Sequence, residues 1–175
     1  MIYPLFSERL SIEPLAAHDL EAFVSYRQNP EIARFQSWEP TYSLQQAQEL
    51  LETQVGVTIP TESEWLQLAL RERGSNELVG DLALHAIDDL QEIFEIGFTI
   101  SPKHQGKGYA KEGASTLINY LSGKLGAKKF VANTDSRNAA SIRVLLAIGF
   151  TWNPAKGWTE DFKNEVVTVH HFERD

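Results

Sequence analysis

The stretch FEIGFTISPKHQGKGYA, residues 94 to 110, decides the fold of this chain. Its first part alternates in polarity as a β-strand does, so its side chains are predicted to divide between two faces. One face carries the bulky apolar side chains of Phe94, Ile96, Phe98 and Ile100. The other face carries Glu95, Gly97 and Thr99 and is left available for a ligand. Two glycines then stand where the chain turns into a helix with a buried apolar stripe.

The turn from Gln105 to Ala110 has the composition of a phosphate-binding helix N-terminus. Unpaired amides and the helix dipole attract a phosphate or diphosphate, and glycine lets the ligand approach the backbone closely. Lys107 adds one positive charge. Because the dipole alone contributes about 0.3 to 1 kcal/mol at an exposed site, tight binding needs several amides and further contacts. The turn therefore favours a long phosphate-bearing cofactor over free phosphate.

Two other phosphate-binding motifs do not fit this turn. A Walker loop needs Ser or Thr after its lysine, whereas Gly108 follows Lys107. A dinucleotide fingerprint needs a third glycine at position 111, which is lysine here. It also needs an acidic residue about twenty positions further on, where the chain has lysines at 128 and 129. Nucleoside triphosphates and dinucleotides are therefore not expected ligands.

Composition excludes several function classes. The chain has 175 residues and no cysteine, so thiolate nucleophiles and iron-sulfur clusters are excluded. Its net charge of -8 disfavours nucleic acid and favours cationic partners such as amines. No metal site is expected, because the adjacent His170 and His171 point to opposite faces of a strand. With no leader-like or membrane-spanning stretch, a cytoplasmic protein is expected.

Periodicity predicts an α/β sandwich around a mixed sheet, folded as a single domain over residues 1–175. The predicted strands cover residues 10–12, 65–70, 78–84, 93–100 and 129–132, a segment starting at 150, and 166–172. The predicted helices cover residues 19–27, a segment starting at 43, 109–121 and 139–148. A loop with Phe35, Trp38 and Tyr42 separates the first two helices.

Two blocks of the sequence resemble the GNAT acetyltransferase superfamily. Residues Gln105-Gly-Lys-Gly-Tyr-Ala110 resemble its coenzyme A loop, Gln/Arg-x-x-Gly-x-Gly/Ala. The segment from Asn133 through Asn138 and Ser141 to Phe150 is similar to its Asn-x-x-Ser helix, which ends in Gly-Phe. Residues 8 to 31 resemble the ribosomal-protein N-terminal acetyltransferase branch, except that Glu13 stands where that branch often has arginine.

This resemblance implies a mostly antiparallel central sheet flanked by helices, and direct transfer of acetyl from acetyl-CoA to an amine without a metal. The implied cofactor-binding residues are Phe98, Thr99, Ile100, Gln105, Gly106, Lys107, Gly108, Tyr109, Ala110 and Asn138. Glu95 is the candidate general base, with Glu92 as an alternative, and Ser141 is the candidate acid. Trp38 lies on the loop where the family builds its acceptor site.

Purely structural roles for these residues, and functions other than acetyl transfer to a protein N-terminus, stay open at this point. Glu95 can be an ordinary strand carboxylate, Asn138 a helix cap and Ser141 a first-turn residue. The acceptor can be a protein N-terminus, a polyamine or an aminoglycoside. A noncatalytic coenzyme A sensor is the alternative of a different class, and either a monomer or a homodimer is compatible with the sequence.

Overall fold

A computed structural model describes all 175 residues, which form one nine-stranded sheet with helices on both faces. The strands are β1 (Leu5–Phe6), β2 (Leu10–Pro14), β3 (Trp65–Glu72), β4 (Leu78–Ala86), β5 (Ile93–Ile100), β6 (Lys129–Asp135), β7 (Thr151–Trp152), β8 (Trp158–Phe162) and β9 (Glu165–Arg174). The helices are α1 (Leu20–Arg27), α2 (Pro30–Ala33), α3 (Leu44–Thr53), α4 (Tyr109–Tyr120) and α5 (Ala139–Ala147). A π-helical turn, Leu121–Leu125, extends α4.

The sheet order is β1-β2-β3-β4-β5-β6-β9, and both β7 and β8 pair with the outer edge of β9. Every neighbouring pair is antiparallel except β5 and β6, which are parallel. The prediction of a single α/β domain with a mixed, mostly antiparallel sheet flanked by helices is confirmed. None of the helices is both long and apolar enough to cross a membrane.

Alternation along β3 divides the interior into two apolar clusters. Leu66, Leu68 and Leu70 point into the larger cluster, which also holds the buried stripes of α4 and α5. Ala69 points the other way, into a smaller cluster with α1 and α3. The sheet is therefore covered on both faces. The apolar stripe of α4 is buried as its spacing indicated, whereas in α3 only Ala47 is fully buried and Leu44 is exposed.

The local sequence explains where the helices α2 and α3 begin. Ser43 caps α3, because its hydroxyl accepts a hydrogen bond from the Gln46 amide and the Gln46 side chain accepts one from the Ser43 amide. Asn29 caps the short helix α2, and Pro30 fills its first position. The sequence indicated only an apolar segment after Pro30, because one helical turn shows no periodicity.

Two strands were not predicted from the sequence. The strand β1 is short, and β8 is almost fully exposed, so neither has an apolar pattern that predicts a strand. The turn that joins β8 to β9 uses Lys163 and Asn164, both with positive φ, instead of the glycine that usually marks such a hairpin. This hairpin matters for function because its tip contacts the loop after α2.

The strands β5 and β6 separate part of the way along the sheet. They pair only over Ile93–Glu95 and Lys129–Val131. Beyond Glu95, β5 continues to Ile100 with β4 as its only strand partner, while β6 continues beside β9. One backbone edge of β5 is therefore left without a partner strand, and it faces the gap between the two strands.

Candidate active site

A cleft of about 590 Å³ lies where β5 and β6 separate. Its walls come from the end of β5, the turn before α4, the start of α5, and α2 with the loop after it. The predicted site residues that line it are Phe98, Thr99, Ile100, Gln105, Gly106, Gly108, Tyr109, Ala110, Asn138 and Ser141. Three others, Lys107, Glu95 and Trp38, do not line the cleft.

The turn before α4 presents a row of free backbone amides. The first helical hydrogen bond runs from the Glu112 amide to the Gly108 carbonyl, at 3.0 Å. No amide from residue 106 to residue 111 donates to a protein acceptor. Gly106 and Gly108 have φ of +75° and +83°, the left-handed region that favours glycine. These amides and the helix dipole form an anion site that fits a diphosphate.

Arg9, just before β2, holds this turn in place. Its Nη1 donates to the Lys107 carbonyl at 3.0 Å, and its Nε donates to the Glu112 carboxylate at 2.7 Å. Burial raises the pKa of Glu112, but hydrogen bonds from Ser7 and Arg9 outweigh it and hold that pKa below its usual value. Gln105 closes the other side, because its Nε2 donates to the Ile100 carbonyl at 3.1 Å. The turn is thus fixed at both ends by charged or amide side chains.

His104 lies beneath the same turn and was not recognised from the sequence. Its side chain is buried, it lines the cleft, and its Nδ1 has no hydrogen-bond partner. Burial, with a smaller contribution from Lys107, lowers the pKa of His104. A lone histidine gave no signal in the sequence that could separate such a position from a solvated one.

Glu95 lies at the point where β5 leaves β6, on the sheet face opposite α4 and α5. Its Oε1 accepts a hydrogen bond of 2.8 Å from Asn133 Nδ2, across the last paired positions of the two strands. The Asn133 Oδ1 lies 2.7 Å from His171 Nδ1 on β9. On the other side, Glu95 Oε2 lies 3.8 Å from Nδ1 of His85 on β4. Glu95 therefore belongs to a polar row that runs across four strands.

The alternative base occupies a different environment. Glu92 precedes β5, and its carboxylate forms an ion pair of 2.7 Å with the Lys128 Nζ. It does not line the cleft and takes no part in the polar row.

Asn138 and Ser141 lie on the wall of the cleft opposite β5. The Asn138 Oδ1 accepts a hydrogen bond of 3.1 Å from the Ser141 amide, so Asn138 also caps α5. The Ser141 hydroxyl makes no hydrogen bond to the protein. The cap therefore fixes the backbone of Ser141 while its hydroxyl is left free to donate into the cleft.

Trp38 lies outside the cleft wall, behind the loop that follows α2. Its indole covers the buried guanidinium of Arg27, with 3.7 Å from Arg27 Cζ to the ring centroid. Its Nε1 donates to the Arg27 carbonyl at 3.1 Å. The residues of α2 and the following loop that do line the cleft are Glu31, Ile32, Phe35 and Gln36, which were not predicted. Direct contact of Trp38 with an acceptor stays a prediction.

The tip of the β8–β9 hairpin holds this same loop. The Lys163 Nζ donates to the carbonyls of Ala33 and Trp38 and lies 3.3 Å from the Glu39 carboxylate. Both ends of the segment from 33 to 38 are therefore attached to one ammonium group. This arrangement holds the α2 wall of the cleft at a fixed distance from β9.

Comparison with known proteins assigns the family. A family model described as "Acetyltransferase (GNAT) domain" matches residues 9–151. The chain belongs to the GNAT acetyltransferase family. It is therefore an acetyl-CoA dependent N-acetyltransferase, and the free amides of the turn and the unpaired edge of β5 fit coenzyme A.

Relatives of this GNAT chain cover most of its length. The uncharacterized N-acetyltransferase YoaA of Bacillus subtilis is 29% identical over 150 residues, which span 85% of this chain and 84% of that protein. A spermidine N-acetyltransferase from Vibrio cholerae, solved with CoA and spermine, has a TM-score of 0.81 at 19% identity, with 96% of each chain covered. A ribosomal alpha-N-protein acetyltransferase solved with coenzyme A has a TM-score of 0.82 at 16% identity, covering 98% of this chain and 97% of that one.

Proposed function

We propose that this enzyme acetylates a primary amine, and that the first acceptor class to test is the N-terminal amine of a protein. The observation that carries the proposal is the run of free amides at residues 106 to 111 beside the unpaired edge of β5. The amides suit the diphosphate, and an unpaired strand edge suits the amide groups of the pantetheine arm. Phe98, Thr99 and Ile100 supply that edge, and Asn138 supplies a contact from the opposite wall.

The charges along the cleft support this orientation of the cosubstrate. Lys111 and Arg143 line the cleft, and Lys107 lies next to it on the turn. Cations near the turn favour phosphate groups, because opposite charges attract most strongly where water is partly excluded. The α2 wall instead carries the carboxylate of Glu31, which favours an ammonium group. The acceptor is accordingly assigned to the α2 side of the cleft.

Glu95 and Ser141 have the chemistry that acetyl transfer requires. Acetyl-CoA supplies an activated thioester, so the protein has to remove a proton from the amine and return one to the departing sulfur. Glu95 accepts the amine proton directly or through one water molecule. The free hydroxyl of Ser141 donates to the sulfur.

The α2 wall favours an acceptor with a single ammonium group. Glu31 is the one carboxylate among its cleft residues, and Phe35 adds an aromatic side chain. One carboxylate beside an aromatic ring matches one ammonium group with an attached apolar stem, as at a peptide N-terminus. A polyamine is the second candidate, and the net charge of -8 favours it. A solved spermidine N-acetyltransferase and a solved ribosomal alpha-N-protein acetyltransferase share this fold.

The test is a thiol-release assay with acetyl-CoA across three acceptor sets: short peptides with free N-termini, polyamines and aminoglycosides. Peptide acetylation that disappears when the N-terminus is blocked supports the proposal. Turnover confined to polyamines would instead assign the second candidate. Glu95→Gln is expected to lower kcat by about 10² to 10⁴ while acetyl-CoA affinity is retained. Full activity in that variant would show that Glu95 is not the base.

Glu92→Gln provides the matched comparison, because it removes a carboxylate at the start of the same strand. Like Glu95 it does not line the cleft, but its carboxylate is paired with Lys128. If this variant loses turnover and Glu95→Gln does not, the assignment of the base is reversed.

A further inference from the structure

His85 carries a buried nitrogen atom with no partner, directly beside the proposed base. His85 on β4 is paired in register with Glu95 on β5. The Nδ1 atom of its ring is buried and makes no hydrogen bond. That atom lies 3.8 Å from Glu95 Oε2. Buried polar atoms are almost always paired, so an unpaired one beside a catalytic carboxylate requires an explanation.

The other nitrogen of the ring determines which tautomer is present. His85 Nε2 lies 2.8 Å from the backbone carbonyl of Glu62, and a carbonyl can only accept a hydrogen bond. The proton of a neutral His85 ring is therefore on Nε2, which leaves a bare lone pair on Nδ1. That lone pair faces a carboxylate oxygen, which is also an acceptor. A single additional proton placed between the two atoms would turn this contact into a charge-assisted hydrogen bond.

An aromatic ring also lies against His85. The Trp65 ring stacks on the His85 ring, with 4.9 Å between centroids and 19° between planes. The face of an indole ring can contact a cation. Glu95 is the only charged side chain within ion-pair distance of His85. A proton on Nδ1 would therefore be held between a carboxylate and an aromatic face.

Asn133 and His171 keep Glu95 turned toward His85. Asn133 Nδ2 donates a hydrogen bond to Glu95 Oε1. The contact between Asn133 Oδ1 and His171 Nδ1 fixes the orientation of the Asn133 amide. His171 is in turn 3.3 Å from Glu173, whose pKa is held far below its usual value by hydrogen bonds from Lys156, Asn153 and Lys129. Asn133 therefore binds Oε1 and leaves Oε2 as the oxygen that lies next to His85 Nδ1.

We propose that His85 is a positioning residue that takes up, through Glu95, the proton lost by the acceptor amine. The inference rests on the proposed function, in which Glu95 is the base. An N–H bond of the ammonium group breaks and an O–H bond forms on Glu95. That O–H bond then breaks and an N–H bond forms on His85 Nδ1, which leaves a carboxylate beside an imidazolium. The amine keeps its lone pair and attacks the thioester, and no other reactant is needed.

His85→Gln is the decisive variant, because a glutamine amide can still donate to the Glu62 carbonyl but has no counterpart of Nδ1. The measurement is the pH dependence of kcat/KM with the best amine from the acceptor screen. In the wild type, the acid limb reports a proton shared by the Glu95–His85 pair. In the variant it reports a carboxylate alone, so the limb is expected to move to lower pH. The plateau is expected to fall about 10- to 100-fold, with the Kd for acetyl-CoA unchanged.

His170→Gln is the matched control. His170 also lies against a tryptophan ring, with 4.6 Å between its centroid and that of Trp152 and 33° between the planes, but it has no carboxylate partner. Its pH profile should coincide with that of the wild type. Trp65→Leu is the second variant, because it keeps His85 and removes the stacked ring. It should move the acid limb in the same direction by a smaller amount, even if His85→Gln fails to fold.

The assignment of Glu95 as the base and the role of His85 are refuted by different results. If Glu95→Gln abolishes turnover while His85→Gln and Trp65→Leu keep the acid limb of the wild type, the role of His85 is refuted and the base assignment stands. If Glu95→Gln keeps full turnover, both the base assignment and the role of His85 are refuted. A lowered Tm in His85→Gln with an unmoved limb shows a structural role only and also refutes the inference.

Discussion

Replacing Gly108 with alanine should weaken acetyl-CoA binding through the backbone alone. Gly108 has φ of +83°, and an added Cβ would meet nothing closer than Arg9 Nη2 at 3.5 Å, an ordinary contact. The cost is therefore that of the left-handed conformation, about 1 to 2 kcal/mol for a residue with a Cβ. In the free variant the turn relaxes out of this conformation, so a smaller fraction of the molecules has the turn that binds acetyl-CoA. A conformational cost of about 1 to 2 kcal/mol then raises the apparent Kd about 5- to 30-fold.

Gly106→Ala should behave in the same way, since its φ is +75° and no atom lies within 4 Å of an added Cβ. Gly56→Ala is the control, because Gly56 has φ of +79° and equally open surroundings but lies in the turn after α3, outside the cleft. Calorimetry gives the Kd for acetyl-CoA, and urea denaturation gives the free energy of unfolding. All three variants should lose similar stability, and only the first two should lose affinity. Unchanged affinity in both would refute the assignment of the free amides to the diphosphate.

Three further predictions concern the scaffold around the site. Gly80→Ala places a Cβ against the Thr99 carbonyl on β5 and should lower the free energy of unfolding by about 1 to 3 kcal/mol, measured by urea denaturation. An unchanged urea midpoint would show that β4 and β5 can move apart to make room for the methyl group. The pKa of Glu112 is lowered in the folded state, so its contribution to stability is complete above about pH 4.3 and is lost as the pH falls through the lower folded-state value. The difference in unfolding free energy between wild type and Glu112→Gln should therefore shrink on acidification, and a difference that grows would contradict this sign. Lys163→Met removes both hydrogen bonds to the loop after α2 and should speed amide exchange over residues 33 to 38 about tenfold, with no change in the turn before α4.

The part of the site that could be predicted from the sequence is the part built from neighbouring residues. The strand β5, the two glycines and the start of α4 follow one another along the chain, so alternation and turn chemistry were enough to identify them. The cap at Asn138, with Ser141 in the first turn, was one of the interpretations that the sequence left open, because a cap and the helix it begins are adjacent in sequence.

The part that could not be predicted depends on which strands become neighbours and in which register. His85, Asn133 and His171 are separated along the chain and meet Glu95 only because β4, β5, β6 and β9 lie side by side in one specific alignment. A shift of one residue in any of these pairings would turn its side chain to the opposite face. Trp38 shows the same limit, since its packing against Arg27 depends on how two separate segments meet and has no signal in the local sequence.

The separation of β5 from β6 also couples the stability of the fold to cosubstrate binding. The edge of β5 that faces the gap has no partner strand, and a bound molecule that hydrogen-bonds to this edge takes the place of one. Binding to the folded form alone adds RT ln(1 + [L]/Kd) to stability, about 2.7 kcal/mol at one hundred times the Kd. When the concentration of the bound molecule falls below its Kd, the folded chain loses this added stability.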